Sequence, residues 1–260
     1  MPELASPAKG TRPEGAASEA DASKKVREMF TQIAPRYDLL NHLLSLQLDR
    51  LWRARTAKQL QPILERPDAP VLDLCCGTGD LAFALSRAGK ARIIGADFAH
   101  TMLVRAKDKS AAVAETTGEN PPSPTPFFEA DALGLPFASS SFDLVTSAFG
   151  FRNLANYEAG LREIQRVLKP GGTLAILEFT EPPSGIVGDL YRWYFRSVLP
   201  RIGGMLSGDR AAYTYLPKSV SRFFRPEQLA SLMTTVGYQL VDYRVWTLGT
   251  VALHVGVRLS

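Results

Sequence analysis

Apolar positions recur along the chain with two periods, and the change from one to the other divides it. Val26, Phe30 and Ile33 are spaced by four and three, which predicts a helix starting near Ser23 and ending before Pro35. A second helical stretch is expected through Leu39, Leu40, Leu43 and Leu44. A third should run from Asp49 to Leu60 and stop at Pro62. From Pro70 the pattern becomes short continuous apolar runs, at 70–75, 92–96, 126–129, 142–148 and 173–179, each the length of a strand buried on both faces. Helical stripes lie between them. The clearest is Tyr157, Leu161, Ile164 and Leu168, ended by Pro170-Gly171-Gly172. The proline-rich stretch Asn120–Pro126 reads as an extended loop. The last third keeps a different rhythm, with an amphipathic helix over 186–199, a helix from Pro226 to Val236 closed by Gly237, and strands at 238–246 and 250–258. The turn through Gly249 is short enough to make those two strands an antiparallel pair at a sheet edge.

Strands alternating with helices define an α/β fold, a mostly parallel sheet with helices on both faces. The expected organisation is a disordered tail over 1–22 and one domain over 23–260. That domain comprises N-terminal helices at 23–62, a core at 70–180, and further helices with a C-terminal hairpin at 181–260.

Composition narrows the classes. The chain has 260 residues, 45% hydrophobic and 22% charged, enough to bury a core without disulfide or metal support. The net charge of +4 is spread out with no basic stripe, so a nucleic-acid partner is not expected, and no metal site is evident. Cys75 and Cys76 are the only cysteines, which excludes a disulfide framework and fits a reducing, cytoplasmic setting; they read as packing residues. No apolar run reaches the ~18 residues of a membrane span.

The chemistry is concentrated in Val71-Leu-Asp-Leu-Cys-Cys-Gly-Thr-Gly-Asp80, a strand entering a glycine turn and then a helix. Gly77 and Gly79 allow a tight turn and close backbone approach to a ligand. Asp97, 20 residues after Gly77 at the end of the second strand, stands where an acid accepts from both ribose hydroxyls of a nucleoside. Gly77-Thr-Gly-Asp-Leu-Ala82 also satisfies the dinucleotide pattern, so a nicotinamide-dependent dehydrogenase is one reading. Against it, Asp73 inside the first strand would repel a pyrophosphate and suits a cationic ligand end. Asp131-Ala132 after the third strand places an acid where an adenine amino group can donate to it.

LDLCCGTGD, ADF followed by ML, Asp131-Ala132, LPFASSSFD, GFRN and RVLKPGG together resemble class I S-adenosylmethionine-dependent methyltransferases. FTQIAPRYDLLNHLLSLQLDRLWR (30–53), AFGFRNL (148–154), LEFTEP (177–182), VLPRIGGMLSGDRAAYTYLPKSV (198–220) and VALHVGV (251–257) narrow the resemblance to the ubiquinone/menaquinone biosynthesis C-methyltransferases, the demethylmenaquinone methyltransferase group. The resemblance implies a Rossmann-like seven-stranded sheet with an antiparallel C-terminal strand. It implies S-adenosylmethionine as cofactor, with Asp73, Gly77, Thr78, Gly79, Asp97, Asp131 and Ala132 around it. Ala99 stands where many relatives have a capping Ser, and Ala148 where some have a Ser near the cofactor.

The implied reaction is methylation of a ring carbon of a demethylmenaquinol. Such a carbon attacks only as a ring hydroxyl of pKa ~10 loses its proton. Arg152 and Asn153, after the fourth strand, are the catalytic candidates: the guanidinium as phenolate stabiliser or orienter of a water, the amide beside it. His254 is a second candidate base, although a packed, hydrogen-bonded histidine is the preferred reading. Tyr37, Tyr213 and Tyr215 are candidate cleft residues. A prenylated substrate brings in transient contact with a membrane surface, and Trp193, Tyr194 and Phe195 in the 186–206 segment are candidates for it. Other open readings are a ubiquinone precursor, another phenolic or lipid acceptor, and a non-catalytic cofactor-binding scaffold. Oligomeric state is not legible.

Overall fold

The computed structural model describes residues 9–38, 45, 47–116, 125–182, 185, 188, 189, 193 and 210–259. The helical stretch expected at 39–44, the side chain of Tyr213, and most of the 186–206 segment lie outside the described residues.

Seven strands form one sheet: β1 (Pro70–Leu74), β2 (Arg92–Asp97), β3 (Phe127–Glu129), β4 (Phe142–Ala148), β5 (Leu168–Phe179), β6 (Gln239–Trp246) and β7 (Val251–Val257), in the order β3-β2-β1-β4-β5-β7-β6. The pairs β1–β2, β2–β3, β1–β4 and β4–β5 are parallel, and β7 runs antiparallel to both β5 and β6. The chain leaves β1 toward β2 on one side, and β4 then returns on the other. A crevice therefore opens at the carboxyl ends of β1 and β4, where ligands bind in open parallel sheets.

Successive strand residues feed opposite faces of the sheet. Leu72, Val145 and Ile176 pack with Leu161, Ile164 and Met233, from helices α6 (Tyr157–Val167) and α8 (Pro226–Val236). Val71, Leu144 and Ala175 face the other way, with Trp52 of α2 (Leu48–Gln59), Leu64 of α3 (Gln61–Leu64), and Leu81 and Leu85 of α4 (Asp80–Arg87). Pro62 does not stop the third predicted helix, which already ends at Gln59; it sits in the first turn of α3, where a missing N–H costs nothing.

Two boundaries differ from the sequence reading. Helix α6 ends at Val167, three residues before Pro170, because the residue preceding a proline is driven out of the helical region. Leu168 already pairs with Phe142, so Lys169-Pro170-Gly171-Gly172 is an irregular start to β5 rather than a helix stop. Helix α1 (Glu19–Ile33) begins earlier than Ser23, because Ser18 caps it by accepting from the Asp21 N–H at 3.1 Å.

The tail expected to be disordered over 1–22 is ordered from residue 9 onward. Lys9 O accepts from Tyr157 N–H at 2.8 Å, Thr11 N–H donates to Leu154 O at 2.7 Å, and the Arg12 guanidinium donates to Ala155 O at 2.7 Å. Gly10 makes this possible, since a Cβ there would lie 1.9 Å from Ala155 O. The segment is held as a strap across the loop between β4 and α6.

Candidate functional site

At the carboxyl end of β1 the backbone turns through left-handed conformations at Cys75, Gly77 and Gly79, with φ of 55°, 56° and 86°. A side chain at Gly79 would also press on Phe83 and Phe127, at 3.0 and 3.1 Å. The turn opens into a cavity lined by Phe30, Tyr37, Cys75, Gly77, Asp97, Phe98, Met102, Asp131, Ala132, Ala148, Phe149, Gly150 and Asn153, among others. A smaller cavity shares Tyr37, Cys75, Gly77, Ala148 and Phe149 with it and adds Arg53, Asp73, Thr78 and Asp80.

Asp97 bridges the turn and the next helix, α5 (His100–Thr116): its Oδ2 accepts from Gly77 N–H at 2.9 Å and its Oδ1 from Ala99 N–H at 2.8 Å. Each oxygen keeps a lone pair for a further donor. Burial raises its pKa to about 6, against the pull of the Ala99 and Gly77 N–H groups. Asp73 is 1% exposed; its Oδ1 accepts from the Thr146 hydroxyl at 2.8 Å, and its Oδ2 has no hydrogen-bond partner among the described residues. Burial raises its pKa to about 7. A carboxyl in that condition fits a ligand that brings positive charge.

Thr78 is committed to a clamp. Its hydroxyl donates to Asp38 Oδ1 at 2.6 Å and accepts from Lys109 Nζ at 2.9 Å. Lys109 also pairs with Asp38 and Asp80, both at 2.7 Å. Arg53 joins Asp80 to Asp49, at 3.3 and 2.6 Å. The N-terminal helices are thus tied over the glycine turn. Asp131 caps its own loop through Leu133 N–H at 2.9 Å, with Ala132 buried beside it.

Arg152 is placed differently from the expectation of a cleft residue. The 3-10 turn Phe151–Asn153 buries it to 6% exposure, and its Nη1 pairs with Glu178 Oε2 at 3.0 Å and donates to Phe149 O. Glu178, 1% exposed, also accepts from the Arg152 and Phe179 N–H groups, each at 3.0 Å. Burial pushes the Glu178 pKa upward against the pull of Arg152. The guanidinium is neutralised inside the fold, whereas Asn153 lines the cavity.

Residues 18–258 match the family described as the ubiE/COQ5 methyltransferase family. The chain belongs to that family. It is a methyltransferase. A protein named demethylmenaquinone methyltransferase from Thermus thermophilus is 50% identical over 231 residues, 88% of this chain and 100% of that one. A namesake from Deinococcus radiodurans is 47% identical, covering 91% of this chain and 93% of its own. A ubiquinone/menaquinone biosynthesis C-methyltransferase UbiE from Geotalea daltonii is 39% identical, covering 91% and 97%. Among solved structures, the [4+2]-cyclase SpnF has a TM-score of 0.66 at 16% identity, covering 96% of this chain and 99% of its own. A SAM-dependent methyltransferase from Thermotoga maritima has a TM-score of 0.62 at 18% identity, covering 89% and 99%. At those identities the likeness is one of fold, the class I methyltransferase sheet.

Within this family member, seven of the nine expected site residues line the two cavities: Asp73, Gly77, Thr78, Asp97, Asp131, Ala132 and Asn153. Gly79 shapes the turn without lining either cavity, and Arg152 is buried against Glu178 and Phe149 O. Tyr37 lines both cavities, and Tyr215 reaches Asn153 from α7 (Arg210–Arg222). Cys75 lines both cavities and also packs against the core, and burial raises its thiol pKa well above the usual range, so it stays protonated. His254 is 1% exposed on β7 and donates through Nε2 to Pro226 O at 2.9 Å, as a packed histidine does. Sequence reasoning missed Glu178, Asp38, Lys109 and Arg53. The one signal for Glu178 was an acid closing the apolar run Leu174–Leu177.

Proposed function

We propose that this methyltransferase converts a demethylmenaquinol to menaquinol by methylating a ring carbon. The methyl donor is S-adenosylmethionine. The observation that carries the acceptor is the 50% identity, along its whole length, to a relative named demethylmenaquinone methyltransferase.

The residues fit the donor. The unpartnered, buried Asp73 oxygen lies in the smaller cavity, where it would hold the cationic amino-acid end. Asp97 would accept from the ribose hydroxyls with its remaining lone pairs. Asp131 and Ala132 would meet the adenine edge, and Gly77 and Gly79 let the backbone come close. When bound, S-adenosylmethionine supplies a methyl group carried on a sulfonium.

The chain's own work is alignment and exclusion of water. Phe149 stacks toward Phe179 with ring centroids 4.5 Å apart, and Trp52 packs on both rings, at 5.9 and 6.0 Å, forming an apolar wall. Asn153 stands where a quinol oxygen would sit. Arg152, spent on Glu178, acts as a positioning residue for the turn that carries Asn153. The ring hydroxyl gives up its proton as the ring carbon takes the methyl and the sulfonium S–C bond breaks to leave a neutral thioether; the carbon then releases its hydrogen as a proton and the ring oxygen takes one back, which restores the aromatic quinol with one proton released overall.

A polyprenyl acceptor resides in a bilayer, so this reading includes transient contact with a membrane surface. Among the described residues, no helix is long and apolar enough to cross one. Relatives named for both quinones favour a second reading, a demethylated ubiquinone precursor.

The test is incubation with methyl-labelled donor and a short-chain demethylmenaquinone, once reduced and once oxidised, beside the reduced benzoquinol precursor. Label in the naphthoquinol alone is expected. Label with the oxidised form would refute the need for an ionising hydroxyl, and label only in the benzoquinol would replace the acceptor.

A further inference from the structure

Asn153 is 7% exposed and lines the larger cavity, yet half of its amide is unmatched. Its Oδ1 accepts from the Tyr215 hydroxyl at 3.0 Å, whereas its Nδ2 has no hydrogen-bond partner among the described residues. A buried amide donor left unpaired is costly, so such a group persists where a ligand completes it. The Tyr215 hydroxyl has a single proton, and it is committed to Asn153. The Thr11 hydroxyl, 2.9 Å from it, is then the donor to Tyr215. Hydroxyl hydrogens thus run in one direction, from Thr11 to Tyr215 to Asn153 Oδ1.

We infer that Tyr215 is a positioning residue that presents Asn153 Nδ2 as the hydrogen-bond donor to the ring oxygen of a phenolic acceptor, with Thr11 holding Tyr215 in register. This rests on the proposed aromatic acceptor and assigns the group that meets its oxygen. A neutral amide donor favours a ring oxygen that is becoming negative, the charge that carbon methylation requires. Burial raises the Tyr215 pKa, which keeps its proton in place. The nearby charges do not replace the amide, because Arg152 and Glu178 cancel each other at 3.0 Å. The other titratable groups around the amide are Tyr157, whose hydroxyl donates to Arg152 O at 3.0 Å, and Tyr37, Cys75, Asp97 and Asp131 in the cavity wall. The strap explains how Thr11 arrives: its N–H is bonded to Leu154 O, one residue beyond Asn153.

The experiment titrates 1-naphthol bound to the full chain in the presence of S-adenosylhomocysteine, following naphtholate absorbance. Wild type should ionise the bound naphthol at lower pH than water does. Tyr215→Phe should move that ionisation back up by about one pH unit, a tenfold change, and Thr11→Val should move it less in the same direction. Asn153→Ala should match Tyr215→Phe, with no further shift in the double variant. In turnover, Tyr215→Phe should lower kcat about tenfold with KM and cofactor affinity within twofold. Unchanged naphthol ionisation in Tyr215→Phe, additive shifts with Asn153→Ala, or no naphthol binding by wild type would overturn the inference. If wild type lowers the naphthol pKa through Tyr215 yet leaves demethylmenaquinol unmethylated, the amide's role stands and the acceptor reading falls.

Discussion

Replacing Glu178 by Leu measures what the buried ion pair does for the fold. The carboxylate is 1% exposed and accepts from the Arg152 N–H, the Arg152 guanidinium and the Phe179 N–H, all at 3.0 Å. Without it, the guanidinium stays charged among apolar groups, 5.5 Å from the centre of the Phe179 ring, with the Phe149 carbonyl as its remaining acceptor. Breaking a buried pair by deleting one partner costs about 3–5 kcal/mol. A domain of this size loses about 2–4 °C in Tm per kcal/mol, so Glu178→Leu should melt roughly 6–20 °C below wild type. Arg152→Met should cost less, about 1–3 kcal/mol, because the stranded carboxyl can take up a proton. Its cost should shrink as pH falls: a raised carboxyl pKa means the folded chain binds the proton more tightly than the unfolded one, so stability falls as pH rises above about 4.5. The double variant, apolar against apolar, should return to within about 1 kcal/mol of wild type. Calorimetric melting of the four proteins gives the coupling directly. Costs that add within about 0.5 kcal/mol would show that the two groups do not depend on each other and would refute the argument.

Four further outcomes follow from the geometry. Asp73, raised to about 7, must ionise to hold a cationic ligand, so donor affinity should fall up to about tenfold per pH unit below that value, with proton release on binding; titration calorimetry in two buffers checks both. The same shift means that the ligand-free protein loses stability as pH rises from 3.8 to about 7. Gly150→Ala puts a methyl group 2.3 Å from Cys75 Cβ between two fixed backbones, which should cost about 1–3 kcal/mol in thermal melts and abolish cofactor binding, whereas Gly134→Ala meets nothing within 4 Å and serves as the neutral control. Lys109→Met removes the cation joining Asp38 to Asp80, and because that clamp is part-exposed its loss should raise the cofactor off-rate only about two- to fivefold in stopped-flow displacement, roughly 0.5–1 kcal/mol.

The features that could be read from the sequence were those encoded by local pattern. Continuous apolar runs gave β1, β2 and β4 nearly to the residue, because strands covered on both faces need no polar positions. Gly77, Gly79 and Asp97 stood out because a tight turn and an acid at a strand end have a fixed spacing. Pairings across long separations left no such trace. Glu178 looked like one more strand residue until the sheet set it beside Arg152, and that pairing moved Arg152 from the cleft to the floor beneath it. The strap at residues 9–12 was equally hidden, since it is held mainly by backbone groups and a glycine, neither of which shows in a hydrophobic pattern. Lys169-Pro170-Gly171-Gly172 was misassigned for a related reason: proline and glycine mark that a helix has ended without saying where the next strand starts.

The position of β7 in the sheet governs the order in which the protein can be made. Residues 251–257, synthesised after the other six strands, fill the gap between β5 and β6 rather than extending an edge. Until they emerge, β5 carries an open row of backbone donors and acceptors beside the apolar run Leu174–Leu177, a template for pairing with a neighbouring nascent chain. Most of the Rossmann half is synthesised by then, but the sheet cannot close. The sheet therefore closes only once β7 is made, through a pairing with β5 that is distant in sequence and slow to form. A chain cut short before Val251 would keep its cofactor-binding motifs and carry an uncovered sheet.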